Sequence, residues 1–239
     1  MSSNYAFRKQ IINWSLLLFC GHTLAQESVL INSGAREFYR EDQFYIALSY
    51  DLLSEVPASV ATRGLIGGFH FGFIRDWPLN GQGTWSVGTG IGLGYDRYGQ
   101  NVIAQSSQGA DPIWTIEQSP SAIDNNSLQI TALEVPLELR WRTSDARTYK
   151  FWRLYAGAKW SQHVAARTVF TGPEGSETLT DLPQLRKGIW YATVAFGYGI
   201  FNAQLQWGLT PLLLEVQDSE TQQSIGLRPI KLGIMFYIL

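Results

Sequence analysis

Between residues 84 and 97 the side chains alternate with a period of two. Trp85, Val87, Thr89, Ile91, Leu93 and Tyr95 fall on one face, and Ser86, Gly88, Gly90, Gly92, Gly94 and Asp96 on the other. Successive residues of a strand point to opposite sides, so this segment predicts a strand with one apolar face and one nearly bare face. The same alternation marks 43–52 (Phe44, Ile46, Leu48, Tyr50, Leu52), 63–75 (Leu65, Phe69, Phe71, Phe73), 127–142 (Leu133, Val135, Leu137, Leu139, Trp141) and 150–165 (Trp152, Leu154, Ala156, Ala158, Trp160, Val164). It continues in 187–198 (Trp190, Ala192, Val194, Phe196, Tyr198), 201–210 (Phe201, Ala203, Leu205, Trp207, Leu209) and 228–239 (Ile230, Leu232, Ile234, Phe236, Ile238), which makes eight strands. No helical period intervenes, so the strands do not belong to βαβ units.

The predicted strands are long. Soluble sheets favour about five or six residues per strand, whereas a tilted strand needs roughly 9–11 to cross a bilayer. Charged residues share one face: Glu134, Glu138, Arg140, Arg142, Arg153 and Lys159 all oppose the apolar positions. Aromatic residues gather at strand ends. Phe73, Trp77, Trp85, Trp141, Trp152, Phe196, Tyr198, Phe201 and Phe236 mark the terminus-bearing rim, and Tyr50, Tyr95, Trp160, Trp190 and Trp207 the other. Two aromatic girdles around an aliphatic band are the mark of interfacial anchoring. The connections 76–83, 143–149 and 199–200 are short, while 98–126, 166–186 and 211–227 are long. Outer-membrane barrels pair short periplasmic turns with longer external loops. The fold expected is all-β: an eight-stranded antiparallel up-and-down transmembrane β-barrel with its apolar face toward lipid. Lipid cannot satisfy exposed backbone groups, so the sheet has to close. A soluble lipocalin-like binder is the rival with the apolar face turned inward.

Charged side chains pointing into a closed barrel have to be paired. Glu134, Glu138, Arg140, Arg142, Arg153 and Lys159 are therefore expected to form an interior ion network, with Glu134 beside Lys159 and Glu138 diagonal to Arg153. Glycine on the second and third strands leaves room for these long side chains. The alternative is a selectivity ring for small ions. Pro136 interrupts a strand that needs a ladder donor, so a bulge or a lost hydrogen bond is expected there.

Residues 1–25 form an address. Arg8 and Lys9 precede the apolar stretch 11–19, and Thr23-Leu24-Ala25 offers small residues for cleavage after Ala25, the order of a secretory signal. Cys20 follows the bulky Phe19, which does not suit lipidation. The mature chain then has no cysteine and no disulfide. Its formal charge is −4, since Arg8 and Lys9 leave and 16 basic residues remain against 20 acidic. Residues 26–42 are expected to be a short periplasmic lead-in, and 43–239 the barrel. Only 16% of residues are charged, and the balance is acidic, so no nucleic acid partner is expected.

Chemistry-bearing motifs are sparse. No metal-ligand spacing, Walker loop or dinucleotide fingerprint is present, and no cofactor is expected. Ser161 and His163 face the lumen two residues apart, a spacing of about 7 Å at the Cα atoms, with no orienting acid evident beside them; Asp96 lies two strands away. A lipid-modifying enzyme stays an alternative on that pair alone.

Several stretches resemble the PorT-like family of outer-membrane β-barrels: 40–53 (REDQFYIALSYDLL), 67–80 (GGFHFGFIRDWPLN), 134–157 (EVPLELRWRTSDARTYKFWRLYAG) and 231–239 (KLGIMFYIL). That family is associated with type IX secretion, which moves folded cargo across the outer membrane, and with gliding motility. The resemblance implies a non-enzymatic accessory or assembly component in the outer membrane of a Gram-negative bacterium, with its N-terminus in the periplasm. Its partners would be outer-membrane lipid and other type IX envelope proteins. Arg75, Asp76, Trp77 and Lys150, on the short turns, are the candidate contacts at the periplasmic rim. An eight-stranded barrel is too narrow to carry folded cargo, so the role implied is that of an adaptor. A small-solute or ion channel is the alternative.

Overall fold

A computed structural model describes residues 42–107, 110–143, 151–173 and 175–238. The expected signal segment and the lead-in through residue 41 lie outside the described residues, as does Lys150. The strands are β1 (Gln43–Ser54), β2 (Gly67–Pro78), β3 (Trp85–Gly99), β4 (Val102–Ser107), β5 (Ala110–Ile116), β6 (Asn125–Arg142), β7 (Trp152–Gly172), β8 (Gly175–Leu179), β9 (Gly188–Tyr198), β10 (Phe201–Gly208) and β11 (Arg228–Ile238).

The main sheet runs β6-β3-β2-β1-β11-β10-β9-β7, and β7 pairs back onto β6. Every pairing is antiparallel. The result is a closed eight-stranded barrel, as the alternation and strand count required. Closure leaves no ladder edge around the wall, which suits a chain surrounded by hydrocarbon. The apolar face looks outward: Leu48, Phe71, Ile91, Leu137, Leu154, Val194, Leu205 and Ile234 are all exposed. The two aromatic girdles form as ring contacts. Phe44–Phe73, Trp152–Phe196 and Phe201–Phe236 stack or tilt together at the terminus-bearing rim, and Trp160–Trp190 at the other.

Two short turns are built from local chemistry. In the first, the Asn80 side chain accepts from Trp85 N at 3.3 Å and donates to Thr84 Oγ1 at 2.6 Å, while Gly83 takes a positive φ of 70°. The second is the two-residue link at 199–200, where Gly199 has φ 61°.

Pro136 behaves as its missing N–H requires. The β3–β6 ladder passes from Thr89↔Leu137 directly to Gly92↔Glu134, so the rungs at 90–136 and 91–135 are absent, with no change of register. The one register shift between β6 and β7 lies elsewhere, beside Thr131 and Ala132, and makes room for Val164.

The long connections hold more structure than the sequence suggested. β7 runs on for 21 residues and pairs with β8, and β4 and β5 form a separate hairpin. Their apolar residues make a second core: Val102, Ala104, Trp114, Ile116, Leu182, Leu185, Leu212, Leu213, Val216, Ile225 and Leu227 pack with Tyr98, Leu128, Ile130, Ile189 and Tyr191 from the strand ends. This cluster caps the barrel at the end bearing the long connections. Asn101 ties it down, donating to Ser59 O at 2.9 Å and Glu117 O at 2.7 Å. Asp218 accepts from Ile116 N at 2.8 Å and from the Thr221 hydroxyl at 2.5 Å.

Candidate functional site

The barrel interior holds the ionisable chemistry of the chain, and glycine makes it fit. A Cβ on Gly88 would lie 2.5 Å from Arg140 Nε, and one on Gly94 would lie 2.5 Å from His70 Nδ1 and 2.9 Å from Glu134 Oε1. A Cβ on Gly68 would meet Asp96, His70 and Ser49 together. The bare face of β2 and β3 is thus the floor on which long side chains from other strands lie.

Two ionic clusters result. In the first, near the terminus-bearing rim, Asp76 bridges two arginines: Oδ1 accepts from Arg140 at 2.6 Å and Oδ2 from Arg142 at 2.7 Å. Arg140 also bonds Glu138 at 3.0 Å and Gln43 at 3.3 Å, and its guanidinium lies 4.5 Å from the centre of the Tyr155 ring. Arg142 donates to Gly83 O at 2.8 Å, which ties the network to the first short turn. Asp76, Arg140 and Arg142 are all 0% exposed. Arg153 packs its guanidinium 4.3 Å over Phe151 and donates to Gly199 O.

The second cluster lies deeper. Lys159 Nζ meets Glu134 Oε1 at 2.6 Å, and Lys231 Nζ meets Asp96 Oδ2 at 2.5 Å. His70 joins the two pairs, with Nδ1 3.2 Å from Glu134 and Nε2 3.2 Å from Asp96. Both lysines also lie over the Tyr191 ring, at 5.3 and 5.0 Å. Along β1, β2 and β11, Tyr45, Ala47, Ile74 and Met235 separate this cluster from the first.

All six interior residues chosen from the sequence are buried inside, and Glu134 does meet Lys159. The Glu138–Arg153 diagonal is corrected. The register sets Glu138 opposite Gly157 and Arg153 opposite Arg142, so Glu138 takes Arg140 as its partner instead. Asp76 is also corrected. It turns inward between two arginines rather than outward at the rim, because alternation on β2 puts it on the face opposite Arg75 and Trp77. Those two remain exposed at the rim, with Arg75 Nε 3.8 Å from Asp42 and its guanidinium over the Trp77 ring at 5.4 Å. Sequence reasoning missed His70, Asp96 and Lys231 as network members. Their inward parity was legible, but the partners across the lumen were not.

Between the two ionic clusters the described side chains leave little free space. A cavity of about 10 Å³ between Tyr45, His70, Glu134, Glu138, Lys159 and Gln204 has room for a single water at most. The Ser161–His163 pair does not form: His163 Nδ1 is 2.6 Å from Arg186 O. Ser49 Oγ comes within 3.4 Å of His70 Nε2, yet its proton goes to Asp51 Oδ1 at 2.6 Å. The single proton of that hydroxyl is thus committed to a carboxylate and not to the ring. Among the described residues no His, Cys, Asp and Glu side chains group as a metal site.

Residues 36–214 match the family described as outer membrane protein beta-barrel domain. No curated protein matches. Among solved structures, the crystal structure of Ail, the attachment invasion locus protein of Yersinia pestis, aligns at 11% identity over 82% of this chain and 97% of that one, with a TM-score of 0.34. The same protein in complex with the heparin analogue sucrose octasulfate aligns at 14% identity over 83% and 99%, with a TM-score of 0.36.

Proposed function

We infer the role of this chain from the premise that it belongs to the outer membrane protein beta-barrel domain family: it is an integral outer-membrane barrel that acts as a closed, non-enzymatic accessory component of type IX protein secretion. The observation that carries this reading is the filled interior. Two paired ionic clusters, an apolar layer between them and a hydrophobic cap occupy the lumen, and the gap among Tyr45, His70, Glu134, Glu138 and Lys159 measures about 10 Å³. A barrel filled in this way offers its surfaces rather than a passage, which favours an adaptor over a solute channel. The assignment to type IX secretion is supported by the likeness of 40–53, 67–80, 134–157 and 231–239 to the PorT-like barrels. In this reading the N-terminus lies in the periplasm, and Arg75 and Trp77, exposed beside the terminus-bearing rim, contact envelope partners there.

The test is a gentle detergent pull-down with mass spectrometry, run alongside a secretion assay in a deletion strain. Co-purification of secretion-machinery proteins together with loss of cargo export is the expected outcome. Normal export with no such protein recovered refutes the role and leaves the fold untouched.

A further inference from the structure

The outward face of β3, β6 and β7 changes character at one height. Along β3 it reads Ile91, Leu93, Tyr95, Arg97; along β6, Val135, Leu133, Thr131, Gln129; along β7, Trp160, Gln162, Ala165, Arg167. The β3 and β6 series pass from apolar through an amphipathic residue to a polar one, and β7 likewise ends on a cation, the order of a hydrocarbon–headgroup boundary. The registers Arg97↔Gln129 and Gln129↔Arg167 set two arginines in one row on either side of a glutamine. Two strand spacings put their Cα atoms about 10 Å apart, within reach of one anion for side chains this long.

Gln129 organises the row. Its Oε1 accepts from Arg167 Nε at 2.9 Å and from the Tyr95 hydroxyl at 3.0 Å, while Arg97 Nη2 is held by Asn125 Oδ1 at 2.9 Å. Among the described residues the terminal nitrogens of Arg167 stay uncommitted. Neither arginine makes an ion pair among the described residues, unlike Arg228, which meets Glu55 at 2.8 Å, or Arg75, which meets Asp42. Beside the row lies a groove of about 390 Å³ lined by Tyr95, Gln129, Thr131, Ala165, Arg167 and Thr180. Unpaired guanidinium groups in a pre-organised row at headgroup height are suited to phosphate oxygens, which accept forked, charge-assisted hydrogen bonds.

We propose that the Arg97–Gln129–Arg167 row binds the phosphate of a membrane lipid headgroup, with the acyl chains lying down the apolar face below. The site is independent of the secretion role. Native mass spectrometry of the full-length protein released from detergent micelles tests it, with dipalmitoyl phosphatidic acid, dipalmitoylglycerol and inorganic phosphate as probes. Phosphatidic acid should stay bound while dipalmitoylglycerol is lost. The Arg97→Gln/Arg167→Gln pair, its fold checked by heat-shifted gel migration, should weaken retention by about tenfold or more, the size expected for losing charge-assisted bonds. Equal retention of the two lipids by the unaltered protein overturns the proposal without recourse to a variant. Unchanged retention in the double variant also overturns it, as does displacement by inorganic phosphate at concentrations equal to the lipid's.

Discussion

Asp76→Ala separates an interior brace from a rim contact. Asp76 offers one oxygen to Arg140 at 2.6 Å and the other to Arg142 at 2.7 Å, and all three side chains are fully buried. Removing the shared carboxylate leaves two guanidinium groups that have lost their bridge. Arg140 keeps Glu138 at 3.0 Å, and Arg142 keeps the Gly83 carbonyl at 2.8 Å. Breaking a buried ion pair by deleting one partner costs about 3–5 kcal/mol, or roughly two to three and a half powers of ten in the folding equilibrium. The retained partners place this case near the lower end, at about 3 kcal/mol. The assay is equilibrium urea unfolding of the barrel folded into lipid vesicles, followed by tryptophan fluorescence. Asp76→Asn, which keeps the shape and one acceptor, should fall between Ala and the parent. A loss below about 1 kcal/mol, the scale of an exposed pair, with partner binding reduced instead, would show that Asp76 works at the rim and that the brace reasoning is wrong.

Other outcomes follow from the same interior. Gly94→Val should cost about 1–3 kcal/mol by overpacking, since its Cβ would sit 2.5 Å from His70 and 2.9 Å from Glu134; urea unfolding in vesicles reads this, and a neutral result contradicts the packed floor. In planar bilayers the protein should give no steady open level, because the gap among Tyr45, His70, Glu134, Glu138 and Lys159 is only about 10 Å³; a stable conducting state would overturn the filled-lumen reading. Pro136→Ala supplies the donor missing from the β3–β6 ladder at 90–136 and should stabilise by about 0.5–1.5 kcal/mol, with a protected amide at 136 in hydrogen exchange. Asp218 titrates in the cap: burial raises its pKa, but hydrogen bonds from Thr221, Ile116 N and Glu220 N prevail and hold it below its ordinary value. Its contribution is complete above the unfolded value of 3.8 and fades as pH falls through the lower folded value. Pepsin nicking of 211–227, normalised to Asp218→Asn, should therefore rise as pH falls below 3.8; a flat ratio refutes this.

What the sequence by itself determined here is a matter of parity. Strand residues alternate sides regardless of what lies beside them, so the outward set of Ile91, Leu137 and Val194 and the inward set of Glu134, Arg140 and Lys159 could be read before any neighbour was known. The same local logic located Pro136 as a break in the ladder and 76–83 as a short connection. What only the tertiary structure decided is which inward groups meet. Lys231 reaches Asp96 from β11 to β3, past β1 and β2, and that encounter depends on how far the closed sheet is sheared, a property of no single segment. Asp76 shows the limit at close range: its neighbours Arg75 and Trp77 do face the rim, but its own partners lie on β6, sixty-four and sixty-six residues away. The cap had a signal that went unread. Trp114, Ile116, Leu182, Leu212, Leu213 and Leu227 are apolar residues in connections that touch no lipid, so they had to cover one another. Alternation follows from the bond geometry of one chain, whereas pairing across the lumen follows from closure, and only the folded barrel fixes the distances over which charges find each other.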